Sequence, residues 1–119
     1  MPRSPAKPDP AELVVLSLLA DGPQYGYALT RHAAERSDGA VNLSPGILYP
    51  LLKRLEQQGF VLASWEEVRS DRAEPGDPGR KRKWYRLSAK GRRRLGQHIE
   101  AHRAYARMIE AFIASPEGA

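Results

Sequence analysis

One stretch, residues 43–62 (LSPGILYPLLKRLEQQGFVL), restricts the fold more than any other part of the chain. Ser44 predicts a helix N-cap, because its hydroxyl can accept a hydrogen bond from an unpaired backbone N–H, and Pro45 suits the first helical position. Gly59 lies where a left-handed residue commonly ends a helix. Between these marks, leucines recur at helical spacing and predict one buried face. They are Leu48, Leu51, Leu52 and Leu55.

The opposite face of this predicted helix carries small, apolar, aromatic and basic side chains. Its members are Gly46, Ile47, Tyr49, Lys53 and Arg54. An amphipathic helix presents such a face to solvent or to a partner. This face is therefore the first candidate binding surface.

A first helix is predicted over residues 11–20, with Asp9 as its N-cap and Glu12 completing a capping-box pattern. Apolar residues cover nearly its whole circumference, so it must be covered on more than one side. In so short a chain, a partner subunit is one way to supply the second cover. Leu13 and Leu16 are the candidate contacts.

A second helix is predicted over residues 24–36, after the Asp-Gly-Pro break at 21–23. Gly26 is a poor helix former, which suggests close approach of another backbone. Two helices with a short connection, the second with an open outer face, resemble a helix-turn-helix.

Two strands are predicted after the 43–62 helix, over residues 60–68 and 83–87. The polar, Pro/Gly-rich segment 69–79 separates them and predicts a long hairpin tip. Three helices followed by a hairpin is the winged-helix arrangement. We therefore expect a mostly α fold, with a small β-hairpin wing on a winged helix-turn-helix and a long C-terminal dimerisation helix.

Basic residues are concentrated near this wing. The net charge is +5, and nine of the 19 basic residues fall between positions 80 and 94, with no acid among them. Such a cluster repels itself unless solvent or a polyanion screens it, which favours nucleic acid as the partner. Four of these residues lie on the second wing arm, where they could straddle a DNA backbone: Arg80, Lys81, Arg82 and Lys83. A solvated basic face is the alternative.

The last helix is predicted over residues 89–114, with Ser88 as its N-cap, and is roughly 39 Å long. A domain of this size cannot cover its full length, and its apolar steps of four and three are typical of a coiled-coil seam. We expect a homodimer through Leu95, Ile99, His102, Ala106, Ile109 and Ile113, with Tyr105, Met108 and Phe112 widening the seam. A core helix folded back on its own domain is the alternative.

Composition and motifs exclude several classes of protein. The chain is 41% hydrophobic without an apolar run near the ~18 residues that span a membrane. It has no cysteine and no signal-peptide pattern, so a cytoplasmic protein is expected. Neither a nucleophile elbow nor a phosphate-binding glycine loop is present, so we expect no enzyme and no cofactor. His98 and His102 have a metal-compatible spacing but no third ligand, and we expect them at the interface instead.

Four stretches in register resemble the PadR family of bacterial transcriptional regulators, in its form with a short C-terminus. They are LSLL at 16–19, GPQYGYAL at 22–29, residues 43–59, and GRKRKWYRLSAKG at 79–91. The resemblance covers about residues 11–95. It implies a dimeric winged helix-turn-helix repressor that binds inverted-repeat double-stranded DNA.

The resemblance also implies roles for individual residues. Recognition-helix positions are Ser44, Gly46, Tyr49 and Lys53. Wing positions are Arg80, Arg82 and Lys83, and Tyr25 falls near the phosphate-facing start of the second helix. Ile47 departs from the small polar residue common in the family, and it could contact a thymine methyl but cannot hydrogen-bond a base.

Some relatives bind flat aromatic compounds in a dimer pore lined by an aromatic residue of the last helix. Tyr105 and Phe112 are the corresponding candidates here, so a small aromatic effector is a further expected partner. The predicted division of the chain is a disordered tail at 1–8, the winged domain at 9–87, the dimerisation helix at 88–114 and a tail at 115–119.

Two other functions remain open from the sequence. One is a winged-helix interaction module that dimerises or docks a protein without reading DNA. The other is a single-stranded nucleic-acid binder that stacks bases on Tyr49, Trp84 and Tyr85.

Overall fold

A computed structural model describes residues 9–68 and 80–114 of the chain. The helices are α1 (Pro10–Ala20), α2 (Gly26–Arg36), α3 (Pro45–Gln57) and α4 (Ala89–Ile113), and the strands are β1 (Gln24–Tyr25), β2 (Val61–Val68) and β3 (Arg80–Leu87). The predicted mostly α fold with a small wing is confirmed. The predicted tails at 1–8 and 115–119 and the predicted loop at 69–79 lie outside the described residues.

The wing is a three-stranded antiparallel sheet in the order β1-β3-β2. Gln24 and Tyr25, predicted to begin the second helix, instead pair with Tyr85 and Trp84 of β3. The prediction was wrong at these residues because the extended backbone at Tyr25 pairs with the free edge of β3. Local sequence does not reveal the stabilisation that this long-range pairing provides. The third strand fastens the start of α2 to the wing.

The core lies between α1, α2, α3 and the sheet. The predicted leucine face of α3 is buried in it, together with Val15, Leu16, Leu19 and Leu29. Leu16 is fully buried within its own subunit because α2, β3 and α4 all pack on α1. Its predicted contact with a partner subunit is therefore wrong, whereas Leu13 is only half-buried.

Apart from the start of α2, the helix ends follow the sequence closely, and one predicted cap lacks its hydrogen bond. Asp9 caps α1 by accepting from the backbone N–H groups of Ala11 at 3.0 Å and Glu12 at 3.5 Å. Gly59 has a φ of +79°, as a left-handed helix end requires. Ser44 is the N-cap of α3, but its hydroxyl makes no capping hydrogen bond, contrary to prediction.

The first part of α4 packs on the domain and the remainder extends away from it. Gly91 and His98 are buried, and Leu95 packs against the core. His98 therefore lies within its own domain, not at a partner interface as predicted, because α1 and the β3 end lie against this part of the helix. Leu95 is half-buried, and its contact with a partner stays a prediction. The molecule has extents of 74 × 31 × 23 Å.

No helix within residues 9–68 or 80–114 has the length and apolar character needed to cross a membrane.

Candidate nucleic-acid interface

The outer face of α3 is open, as the sequence predicted. Gly46, Ile47, Tyr49 and Lys53 are all exposed, and Ser44 is half-buried at the helix start. These residues lie on one side of the helix, and a DNA major groove is wide enough to admit an α-helix. They can therefore contact a duplex together. This face is the centre of the candidate interface.

Tyr49 is held in place by the start of α2. A Cβ added to Gly26 would lie 3.0 Å from both Cε1 and the hydroxyl oxygen of the Tyr49 ring. The close approach predicted at Gly26 therefore exists, but a side chain makes it and not another backbone. A Cβ at position 26 would press on the Tyr49 ring, which would have to shift by a few tenths of an ångström.

Arg54 borders this face, but its side chain is engaged in ion pairs. Its guanidinium lies 3.7 Å from Asp9 and 3.7 Å from Glu12, on the α1 side of α3. Residues seven apart are nearly aligned on a helix, so Arg54 lies beside Ile47, but its guanidinium turns toward α1. These ion pairs engage the Arg54 side chain, and its DNA contact stays a prediction.

The basic arm of the wing faces acids across the sheet. The β2–β3 register places Glu66 opposite Arg82 and Glu67 opposite Lys81. On the α3 side, the Lys83 ammonium lies 3.2 Å from Glu56 of α3. These pairings partly neutralise the arm, and the Lys83 pair fastens the wing to the recognition helix.

Arg80 begins β3 and pairs through its backbone with Val68. It therefore stands at the end of the described part of the wing, nearest the segment 69–79. This position agrees with the predicted place of Arg80 on the wing arm.

An aromatic cluster joins α2 to the wing. The rings of Tyr25 and Tyr27 stack with centroids 5.6 Å apart, and the Trp84 ring lies 4.0 Å from Tyr25. The Arg82 guanidinium covers both tyrosine rings at 5.5 and 5.7 Å and donates to the Tyr27 hydroxyl at 3.3 Å. The cluster thus presents one guanidinium at the first turn of α2.

Glu66 organises the inner part of this cluster. It accepts hydrogen bonds from the Tyr25 hydroxyl at 2.5 Å and from the Trp84 indole N–H. The hydrogen bond to Glu66 raises the pKa of Tyr25, and the same two hydrogen bonds lower the pKa of Glu66, helped by nearby Arg82. The Tyr25 hydroxyl, a predicted phosphate contact, is thus engaged with Glu66.

Tyr27 is a candidate residue that sequence reasoning missed. Its side chain is 52% exposed on the first turn of α2, and its hydroxyl lies beside Arg82. Its position in the sequence was a usable signal, because Tyr27 directly follows Gly26, the residue against which the Tyr49 ring packs. Tyr27 is therefore the more exposed of the two tyrosines at the start of α2.

The predicted dimer residues on α4 differ in exposure. His102, Ala106, Ile109, Phe112 and Ile113 are exposed, whereas Ile99, Tyr105 and Met108 are half-buried. Phe112 is 83% exposed and Ile113 60%. Among the described residues, no group of three or more His, Cys, Asp or Glu side chains is placed to hold a metal ion.

Three helices, a wing and an open recognition face define a winged-helix DNA-binding protein. The chain matches the sequence model of the PadR-like transcriptional regulator family over residues 15–97. It belongs to that family, and it is accordingly a DNA-binding transcriptional regulator and not an enzyme.

Solved structures agree with this assignment. A PadR family transcriptional regulator from Eggerthella lenta is 28% identical, with a TM-score of 0.71 over 87% of this chain and 81% of that one. A transcriptional regulator from Clostridium thermocellum, 23% identical, shares the fold with a TM-score of 0.75 over 87% of this chain and 89% of that one. An uncharacterised protein from Lysinibacillus sphaericus is 25% identical over 100 residues, which is 84% of each chain.

Proposed function

We propose that this regulator is a cytoplasmic homodimeric repressor that binds an inverted-repeat operator. Each subunit places the open face of α3 in a major groove, and the two grooves lie about one helical turn, ~34 Å, apart. The observation that carries the proposal is the joint exposure of Ile47, Tyr49 and Lys53 beside a basic wing. The exposed Ile47 and Tyr49 are suited to contact with a partner, and the basic wing beside them favours nucleic acid as that partner.

Operator specificity in this proposal depends on shape and methyl contacts more than on base hydrogen bonds. Ile47 is suited to a thymine methyl group, and the hydroxyl of Tyr49 and the ammonium of Lys53 are suited to phosphates. Tyr27 and Arg82 add a phosphate contact at the start of α2. Selection of bound duplexes from a random pool tests this assignment, and two T-containing half-sites about 10 base pairs apart are the expected result.

The wing supplies affinity that is independent of sequence. Replacing Arg80, Arg82 and Lys83 together with Ala should weaken binding to operator and random duplex alike. It should also flatten the salt dependence by about three units of slope, because each lost phosphate contact removes about 0.9. A titration of affinity against salt measures this. An unchanged slope in the triple variant would assign the wing a purely structural role.

The exposed end of α4 supports the homodimer. A face that carries Ile109, Phe112 and Ile113 in solvent is stabilised when a second copy covers it. The half-buried apolar residues of α1, Leu13 among them, provide a second surface for the same partner. Dimerisation would also duplicate the recognition helix, as an inverted repeat demands.

Release by a flat aromatic effector is the final part of the proposal. Tyr105 and Phe112 can stack on such a molecule between the two copies of α4. Quenching of a planar dye such as proflavine by the DNA-free protein, lost in Phe112→Ala at a concentration where this variant is still dimeric, would support this effector site. Equal quenching by both proteins would place the dye elsewhere.

A further inference from the structure

The buried carboxylate of Glu12 connects the recognition helix to α4. Glu12 lies in α1 and its side chain is 3% exposed. It lies 3.7 Å from Nη1 of Arg54 in α3 and 3.4 Å from Nη2 of Arg94 in α4, and it contacts Nε2 of His98. One carboxylate therefore bridges the helix proposed to read DNA and the helix proposed to dimerise.

Burying these charged groups costs desolvation free energy, so a role beyond stability is needed to explain them. A buried carboxylate must be fully paired, and replacing such an ionic cluster by apolar residues is often neutral or stabilising. Moreover, Arg94 Nε and His98 Nδ1 are buried without a hydrogen-bond partner in the described part of the chain. The predicted capping-box role does not explain Glu12 either, because its carboxylate meets the cluster and not the end of α1.

The cluster supplies direction that apolar packing lacks. α3 packs mainly on α2 and β2, whereas α4 packs on α1 and β3, so separate parts of the core hold the two helices. Apolar contact is non-directional, whereas the hydrogen bonds that join Glu12 to Arg94 and His98 hold a defined geometry. The Arg54 ion pair adds an attraction to the same carboxylate. Arg54 is also held by Asp9 at 3.7 Å, which leaves its guanidinium between two carboxylates of α1.

We propose that Glu12 is a positioning residue that sets the angle between α3 and α4. Through the dimer, this angle determines the separation and rotation of the two recognition helices, and hence the half-site spacing that the protein accepts. The inference rests on the proposed dimeric operator binding. It adds a spacing determinant that touches neither DNA nor the partner subunit.

The test is a set of selected operators in which the half-site separation is changed by one or two base pairs in either direction. The native protein should prefer one separation by about tenfold over its neighbours, because each added base pair rotates the half-sites by roughly 34°. In Glu12→Gln, this preference should fall to about twofold. Binding to a single half-site should be nearly unchanged, because the reading face is intact.

Arg54→Gln provides a second variant that does not disturb the core, because the Arg54 side chain is 44% exposed. It should broaden the spacing preference in the same way, even if Glu12→Gln fails to fold. Glu56→Gln is the matched control. It removes a carboxylate that joins α3 to Lys83 of the wing at 3.2 Å, and the native spacing preference should remain.

The outcomes separate the two levels of the proposal. A folded, dimeric Arg54→Gln with the native spacing profile would overturn the positioning role while leaving the proposed function intact. Equal broadening in Glu56→Gln would also overturn it, because any loosening of α3 would then suffice. A native protein without any spacing preference would contradict dimeric operator binding itself, and the inference with it.

Discussion

The two halves of α4 share one helix and one apolar repeat but have different surroundings. Near its start, Gly91 and His98 are buried and Leu95 packs on the core. Near its end, Phe112 and Ile113 are exposed. The comparison teaches that an apolar repeat specifies a helix face that must be buried. Whether the same domain or a partner buries it depends on how far along the helix the domain extends. The predictions below test this division.

The largest effect is expected at Gly91. A Cβ there would overlap the carbonyl oxygen of Phe60 and lie 2.9 Å from Cδ2 of Leu87. Since backbone cannot move aside as a flexible side chain can, Gly91→Ala should destabilise the monomer by about 3 kcal/mol. Urea unfolding measures the loss. Unaltered stability would mean that the start of α4 is not seated on the domain.

The next effect concerns the exposed end. Ile109→Asp combined with Ile113→Asp should raise the dimer dissociation constant by about a hundredfold, because two charges would be buried in an apolar seam. Operator binding should be lost at the same time. Sedimentation equilibrium measures the dimer, and circular dichroism should show an intact monomer. A variant that still forms the dimer would place the interface elsewhere.

A matched pair of truncations compares the halves directly. Leu95→Ala should destabilise the monomer by about 2 kcal/mol, because it removes apolar atoms from the core face. Phe112→Ala should leave the monomer unchanged but weaken dimerisation. Unfolding at two protein concentrations distinguishes these effects. If Phe112→Ala proved the more damaging to an isolated monomer, the end of α4 would be covered by its own domain.

The smallest effect is expected at Gly96, on the same helix as Gly91. No atom lies within 4 Å of a Cβ added there. Gly96→Ala should therefore stabilise the protein by up to about 1 kcal/mol through helix propensity alone. Urea unfolding measures the free energy of unfolding of both variants, so Gly91→Ala and Gly96→Ala serve as controls for each other. A large loss in Gly96→Ala would reveal a contact of the helix in the assembled protein.

The local features of the candidate site were predictable from the chain. The leucine face of α3 and the open face around Tyr49 follow from helical spacing, and the end at Gly59 follows from glycine's tolerance of positive φ. The wing strands were recognisable from their composition. The ion pairs of Arg54 were not, because the identity of its partners depends on how α1 packs against α3.

By itself, the sequence determined the helices, most of their ends, the wing and the class of regulator, because each depends on residues close together in the chain or on motifs in register. Only the tertiary structure decided that Gln24 and Tyr25 form a third strand, that Glu66 faces Arg82, and that Glu12 joins Arg54 to α4. The physical reason is common to all three. Strand register and buried ion pairs are set by the relative placement of distant segments, and a hydrophobic pattern states only that a face is buried.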